Sequence, residues 1–190
     1  MTERWRCFIA VPIDDALRSS LEAARAGWRE RSDLRGLRWT DPARWHLTLA
    51  FQGDTERADV PGVIERARHV ARRYAPLRLP TGGLGAFRSP AAARVAWYGI
   101  ADPDGRLADL ARDLAEALEL GTDDGYTPHL TLARARQEPV DLRAWIADAG
   151  ETVRSAALEV ERLEVMRSHR AHGSPAYETL AVLPLEAPAT

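Results

Sequence analysis

A five-residue stretch, HLTLA, occurs twice in this chain of 190 residues, at His46 to Ala50 and again at His129 to Ala133. Leu and Ala are common enough to recur by accident, but His and Thr at matching positions are not. In each copy His and Thr alternate with two leucines, the period of two that marks a strand with one buried face. His46 and Thr48 therefore share one face of a first strand and His129 and Thr131 one face of a second, while Leu47, Leu49, Leu130 and Leu132 turn into a core. A lone histidine on a strand is commonly structural. A repeat serving structure alone would keep its leucines and let the other face drift, whereas here both faces are kept. The pattern predicts two equivalent units whose strands line one cleft with two imidazoles and two hydroxyls, a constellation for proton transfer at a small anionic centre.

The flanking sequence supplies the rest of each unit. Arg6 to Ile13 reads as a first strand, followed by a helix that Asp14 or Asp15 caps and that carries Leu17, Leu21, Ala24 and Trp28 at helical spacing. Leu37 to Thr40 is a short extended piece, Asp41 to Ala43 a turn, and Gly53 with Asp54 closes the first HLTLAF strand. A helix is expected from about Val60 to Tyr74, with Arg66, Arg68, Arg72 and Arg73 on its solvated face. Pro76 to Leu79 reads as a strand and TGGLGAF, Thr81 to Phe87, as a turn or bulge passage, its spacing fitting neither a dinucleotide fingerprint nor a P-loop. Arg94 to Ile100 is a strand. Asp102 to Asp104 open a helix reaching Leu120, with Leu107, Leu110, Leu114 and Leu118 as its buried stripe and Gly121 as its stop. After the second motif come a short helix from Val140 to Ala149 and strands at Leu158 to Arg167 and Tyr177 to Leu185. The intervening Arg167 to Pro175 reads as a polar loop with His169 and His172 exposed. The expected fold is α+β, two antiparallel sheets with flanking helices related by a pseudo-twofold, within one domain spanning residues 1–190.

Charge and composition exclude several chemistries. The net charge of −2 leaves no global positive field for long duplex nucleic acid, so contact with nucleic acid should be local. All 26 basic residues are Arg. Without a lysine there is no P-loop, no Schiff base and no lysyl adenylate. The single cysteine, Cys7, reads as buried and inert in a reducing compartment. Neither a secretory leader nor an apolar run of membrane-spanning length is visible, which gives the expectation of a cytoplasmic protein that does not engage membranes and is monomeric.

With both HLTL strands in place, the sequence resembles the 2H phosphoesterase superfamily and, within it, the RNA 2′,3′-cyclic phosphodiesterases historically called 2′-5′ RNA ligases. The opening CFIAVPI with its helix, WHLTLAFQGD, the RVAWYGI ending of Phe87 to Gly99, and TPHLTLAR are all similar to that family. The resemblance implies a bilobal fold with the active site between the lobes and no metal or nucleotide cofactor. It implies His46 as general acid to a leaving 3′-oxygen, His129 as general base on water, and a 2′-phosphate product. The substrates would be RNA 2′,3′-cyclic phosphate ends or small cyclic nucleotides. The residues support part of this directly: two imidazoles with ordinary pKa near 6.5 can exchange protons at neutral pH, and Thr48 and Thr131 can donate to non-bridging oxygens. Near-symmetry does not say which histidine is the acid.

Two further candidates meet a parity problem. The resemblance places Arg134, five residues after His129, on the substrate phosphate, and Phe51 occupies the equivalent place after His46. Alternation puts both on the face opposite their histidines unless the strand ends or bulges after the second leucine. For Phe51, base stacking competes with an ordinary core role, and the core role is favoured because aromatics are mostly packing. A metal hydrolase would need further ligands at fixed spacing, which the motifs lack. The alternatives from other classes are an RNA-end binding protein without turnover, and a phosphodiesterase or ATP-independent 2′-5′ ligase acting on another cyclic phosphate or RNA end.

Overall fold

The computed structural model describes residues 3–121, 125–149, 157–171 and 174–186. Its strands, β1 (Arg4–Pro12), β2 (Leu37–Trp39), β3 (His46–Glu56), β4 (Leu77–Phe87), β5 (Val95–Ile100), β6 (His129–Ala135), β7 (Ala157–Val160), β8 (Arg162–Ala171) and β9 (Ser174–Pro184), pair antiparallel throughout. The order across the sheet is β7-β4-β5-β6-β3-β1-β8-β9, with β2 added on β6. The helices are α1 (Asp15–Glu30), α2 (Val60–Ala71), α3 (Arg106–Ala117) and α4 (Arg143–Ala149). This is the expected α+β fold of two halves.

The two HLTL strands are the central pair, and the halves meet at one ladder position, Leu47 opposite Leu130. Both are the second residue of their motif, so the pseudo-twofold axis passes between them. Each motif strand is next backed by its own neighbour, β1 beside β3 and β5 beside β6. The four motif leucines are buried, Leu47, Leu130 and Leu132 completely. Burying a leucine contributes roughly 2 kcal/mol, so these side chains fix which face of each strand looks into the cleft.

Local signals explain most elements. The Asp14 carboxylate caps α1 by accepting from Leu17 N at 2.7 Å, and Leu17, Leu21 and Trp28 form its buried stripe. Trp28 stacks on Trp39 of β2 at 6.2 Å and meets Trp145 of α4 edge-on at 5.3 Å. This indole trio clamps β2 between helices and so against β6. Cys7 is fully buried, and burial raises its thiol pKa.

Several boundaries differ from the sequence expectation. Strand β3 does not close at Gly53; it runs to Glu56, with Gly53 at φ +76° absorbing an irregularity between the Cys7–Gly53 and Ile9–Ala50 pairs. Helix α3 begins only at Arg106, because Gly105 is left-handed and Asp102 reaches forward to accept from Leu107 N and Ala108 N. It ends at Ala117, with Glu119 at φ +57°, before Gly121 is reached. The run after residue 157 splits at Glu161 into β7, which joins β4, and β8, which joins β1. The expected polar loop from Arg167 is largely the β8–β9 hairpin, with His169 exposed on β8; His172 lies outside the described residues.

The TGGLGAF passage is the second part of β4, a strand that pairs β7 up to Pro80 and β5 from Thr81, with the expected bulge between Thr81 and Gly83. A Cβ on Gly85 would lie 2.2 Å from the Trp97 ring, so glycine is what lets that indole lie across β4. Among the described residues no helix is long and apolar enough to cross a membrane.

Candidate active site

The parity problem is resolved by a pair of matched bulges. On β6 the register passes from Trp97–Thr131 to Ala96–Ala133, leaving Leu132 without a partner on β5; on β3 it passes from Ala10–Thr48 to Ile9–Ala50, leaving Leu49 without a partner on β1. The extra residue is the fourth of each motif. In consequence the burial pattern of the two strands is the same over their first six residues, with two consecutive buried positions after the Thr. The sixth residue is thereby swung back to the face of the histidine. That residue is Arg134 on β6 and Phe51 on β3, both exposed.

The Leu47–Leu130 register sets the arrangement of the four polar motif side chains. His46 falls across from Thr131, and Thr48 across from His129, because antiparallel partners keep a constant sum of residue numbers. The two histidines thus occupy one diagonal of a four-cornered patch and the two threonines the other. Each imidazole is oriented in the same way. Nδ1 of His46 donates to the Arg44 carbonyl at 2.8 Å, and Nδ1 of His129 donates to the Thr127 carbonyl at 2.7 Å. A carbonyl can only accept, so Nδ1 carries the proton in both neutral rings and Nε2 is left for chemistry.

Aromatic rings brace both histidines. His46 lies 5.0 Å from Phe8 and 5.1 Å, edge-on, from Tyr177; His129 lies 4.6 Å, edge-on, from Phe87 and 6.3 Å from Trp97. The Tyr126 hydroxyl donates to the Thr48 carbonyl at 3.1 Å, tying the loop before one motif to the strand of the other. Burial lowers the pKa of both imidazoles, opposed by the backbone hydrogen bond of each. For His46 the nearby charges of His129 and Arg134 lower it further and Glu164 raises it; for His129 the Arg134 charge adds to the lowering.

His46, Thr48, His129, Thr131 and Arg134 all line one cleft of about 190 Å³. Sequence reasoning missed the rest of its wall: Arg38, Trp39 and Thr40 at the end of β2, Arg44, and Tyr177 from β9. The Arg38-Trp39-Thr40 alternation was visible as an extended piece, but nothing local said that it would take the lane beside β6, where Thr40 N donates to the Leu132 carbonyl at 2.8 Å. Phe51 is not a core residue. It is 48% exposed, carries the Arg6 guanidinium 4.7 Å from its ring centroid, and borders a second cavity of about 740 Å³ that shares Thr48 and His129 with the first. Among the described residues no group of three His, Cys, Asp or Glu side chains is placed to hold a metal ion.

An antiparallel α+β fold whose two central strands each carry an inward His-x-Thr pair is the arrangement of the 2H phosphoesterases. The family model described as LigT like Phosphoesterase matches residues 11–97 and 100–177. The chain belongs to the LigT-like phosphoesterase family. It is 31% identical to an RNA 2′,3′-cyclic phosphodiesterase of Geobacillus stearothermophilus over 96% of its own length, spanning 58% of that relative. It is 29% identical to one of Archaeoglobus fulgidus, over 93% of this chain and 98% of the relative. Among solved structures it superposes on TT0787 of Thermus thermophilus with a TM-score of 0.75 at 25% identity, covering 97% of this chain and 100% of that one. On E. coli LigT in apo form the TM-score is 0.73 at 24% identity, covering 97% and 99%.

Proposed function

We propose that this chain hydrolyses the 2′,3′-cyclic phosphate of an RNA or nucleoside end to a 2′-phosphate, with His46 as general acid and His129 as general base. The observation that carries this reading is the diagonal of two imidazoles, each with Nδ1 committed to a backbone carbonyl and Nε2 available, on either side of a patch that two hydroxyls complete. Ring opening needs a proton taken from water on one side of phosphorus and a proton given to the departing 3′-oxygen on the other. Nε2 of neutral His129 takes the first, and Nε2–H of protonated His46 gives the second. Thr48 and Thr131, at the other corners, donate to the non-bridging oxygens as charge builds there, and Arg134 sets a guanidinium beside them. The names of the curated relatives support the substrate class, and the family resemblance supports the polarity.

The direct test is hydrolysis of a nucleoside 2′,3′-cyclic phosphate in excess chelator, with the product phosphate located by NMR. Turnover that survives chelation and gives the 2′-phosphate is expected. A 3′-phosphate product would reverse the regiochemistry, and turnover abolished by chelator would remove the two-histidine mechanism.

The lowered histidine pKa values fix the pH dependence. The base must be neutral and the acid protonated, and both groups titrate below 6.5 in the free enzyme. A plot of kcat/KM should therefore be bell-shaped, with its maximum on the acid side of pH 6.5. A bound phosphate anion favours the charged imidazole, so the maximum of kcat should lie at higher pH than that of kcat/KM. Coincident maxima at or above neutrality would contradict the burial argument.

A second reading has one observation behind it. The larger cavity opens on the Thr48–His129 side, where the proposed base acts on the nucleophile. It has room for an RNA 5′-hydroxyl in place of water, which would make the same chemistry an ATP-independent 2′-5′ ligation.

A further inference from the structure

The cleft carries more positive charge than one cyclic phosphate requires. Arg38 and Arg134 are directly opposed partners on the β2–β6 ladder, and both side chains line the cleft. Like charges at opposed positions destabilise a sheet. Among the described residues neither guanidinium has a carboxylate partner, and no Asp or Glu lines the cleft. A cyclic phosphate is a monoanion, which one guanidinium neutralises. Arg134, whose charge acts on both imidazoles, serves that anion, and Arg38 lies across from it on the next lane, away from the His and Thr corners. An opposed cationic pair retained at a cost to the sheet, with no internal counter-charge, is what an anion-binding position looks like before its anion arrives.

We infer that Arg38 forms a subsite for a second phosphate, the one on the 5′-oxygen of the nucleotide whose 2′ and 3′ oxygens carry the cyclic phosphate, while Arg134 stays with the cyclic phosphate itself. The inference rests on the phosphodiesterase reading and its polarity. In that reading His46 protonates the ribose 3′-oxygen, so the ribose lies at the His46–Thr131 end of the patch, the end where Arg38 stands. The next anionic group of such a substrate is at its 5′-oxygen. The subsite favours RNA ends and 5′-phosphorylated nucleotides over free nucleoside cyclic phosphates, because only the former offer a second charge. An oligonucleotide's bridging phosphate and a terminal 5′-monophosphate present the same group there.

The test compares kcat/KM on a nucleoside 2′,3′-cyclic phosphate, its 5′-phosphorylated form, and a dinucleotide ending in the same cyclic phosphate, for the wild type and Arg38→Gln. The wild type should prefer both phosphate-bearing substrates by about tenfold or more, the scale of one charge-assisted contact. In Arg38→Gln that preference should fall towards one, while the melting temperature holds or rises because the like-charge opposition is gone. Equal wild-type rates on all three substrates would overturn the subsite, as would a preference that survives in Arg38→Gln. A preference for the dinucleotide alone would do so too, since it would point to the additional base. If the wild type cleaved none of them, the phosphodiesterase reading would fall. Calorimetric titration with a nucleoside 2′,5′-bisphosphate against the 2′-monophosphate would then decide the subsite: tighter binding of the bisphosphate, lost in Arg38→Gln, upholds it, and equal binding removes it.

Discussion

Alanine at His46 or at His129 is expected to lower kcat on a 2′,3′-cyclic phosphate by about 10² to 10⁴, the range of a positioned general acid or base. Each ring also fills space, His46 between Phe8 and Tyr177 and His129 beside Phe87, so a melting curve should accompany each rate. The two rings act on one displacement, so the double variant should lose less than the product of the single losses, because one transfer without the other leaves the reaction uncoupled. The pH profiles assign the roles. Without the acid, only the requirement for a neutral base remains, so His46→Ala should lose the alkaline limb; His129→Ala should lose the acidic limb. Exchanged limbs would reverse the polarity. A well-folded single variant within tenfold of wild type would remove that histidine from the chemistry.

What was legible in the sequence follows a physical division. The alternation of Leu47, Leu49, Leu130 and Leu132 against His and Thr is a local signal, and it gave the strands, their buried faces and the matched motifs. It could not carry Arg134 or Phe51 to the right face, because the bulges at Leu49 and Leu132 exist only in register with β1 and β5. Residue counting within one strand does not contain that information. Phe51 shows the same limit: composition favours burying an aromatic, but after the bulge it stands on the cleft face under Arg6. Helix ends erred for a different reason. Gly121 is the residue a helix stop prefers, yet Glu119 takes the left-handed conformation first, since α3 has no buried stripe residue to hold after Leu118. Arg38 and Tyr177 reach the cleft from strands remote in the chain, which only the sheet order reveals.

Replacing Thr48 or Thr131 by Val is expected to lower kcat by about 10² to 10³, the cost of removing one hydrogen-bond donor aimed at charge that develops in the transition state. Val keeps the β-branched shape that suits a strand, so the change isolates the hydroxyl. The pseudo-twofold makes the two losses similar: the threonines occupy equivalent corners, each across from the other motif's histidine. Each also has a ladder partner on the neighbouring strand, Ala10 for Thr48 and Trp97 for Thr131, and the Thr48 carbonyl is further anchored by the Tyr126 hydroxyl. Ser should restore most activity at either position, since it returns the donor. KM should change much less than kcat if the hydroxyls act mainly on the transition state, whereas equal weakening of both states would raise KM and leave kcat in place. A loss in kcat that Ser does not recover would show that the methyl, through packing against the strand, is what the site needs. In that case the oxygens of the phosphate would have to be held by Arg134 and backbone groups instead.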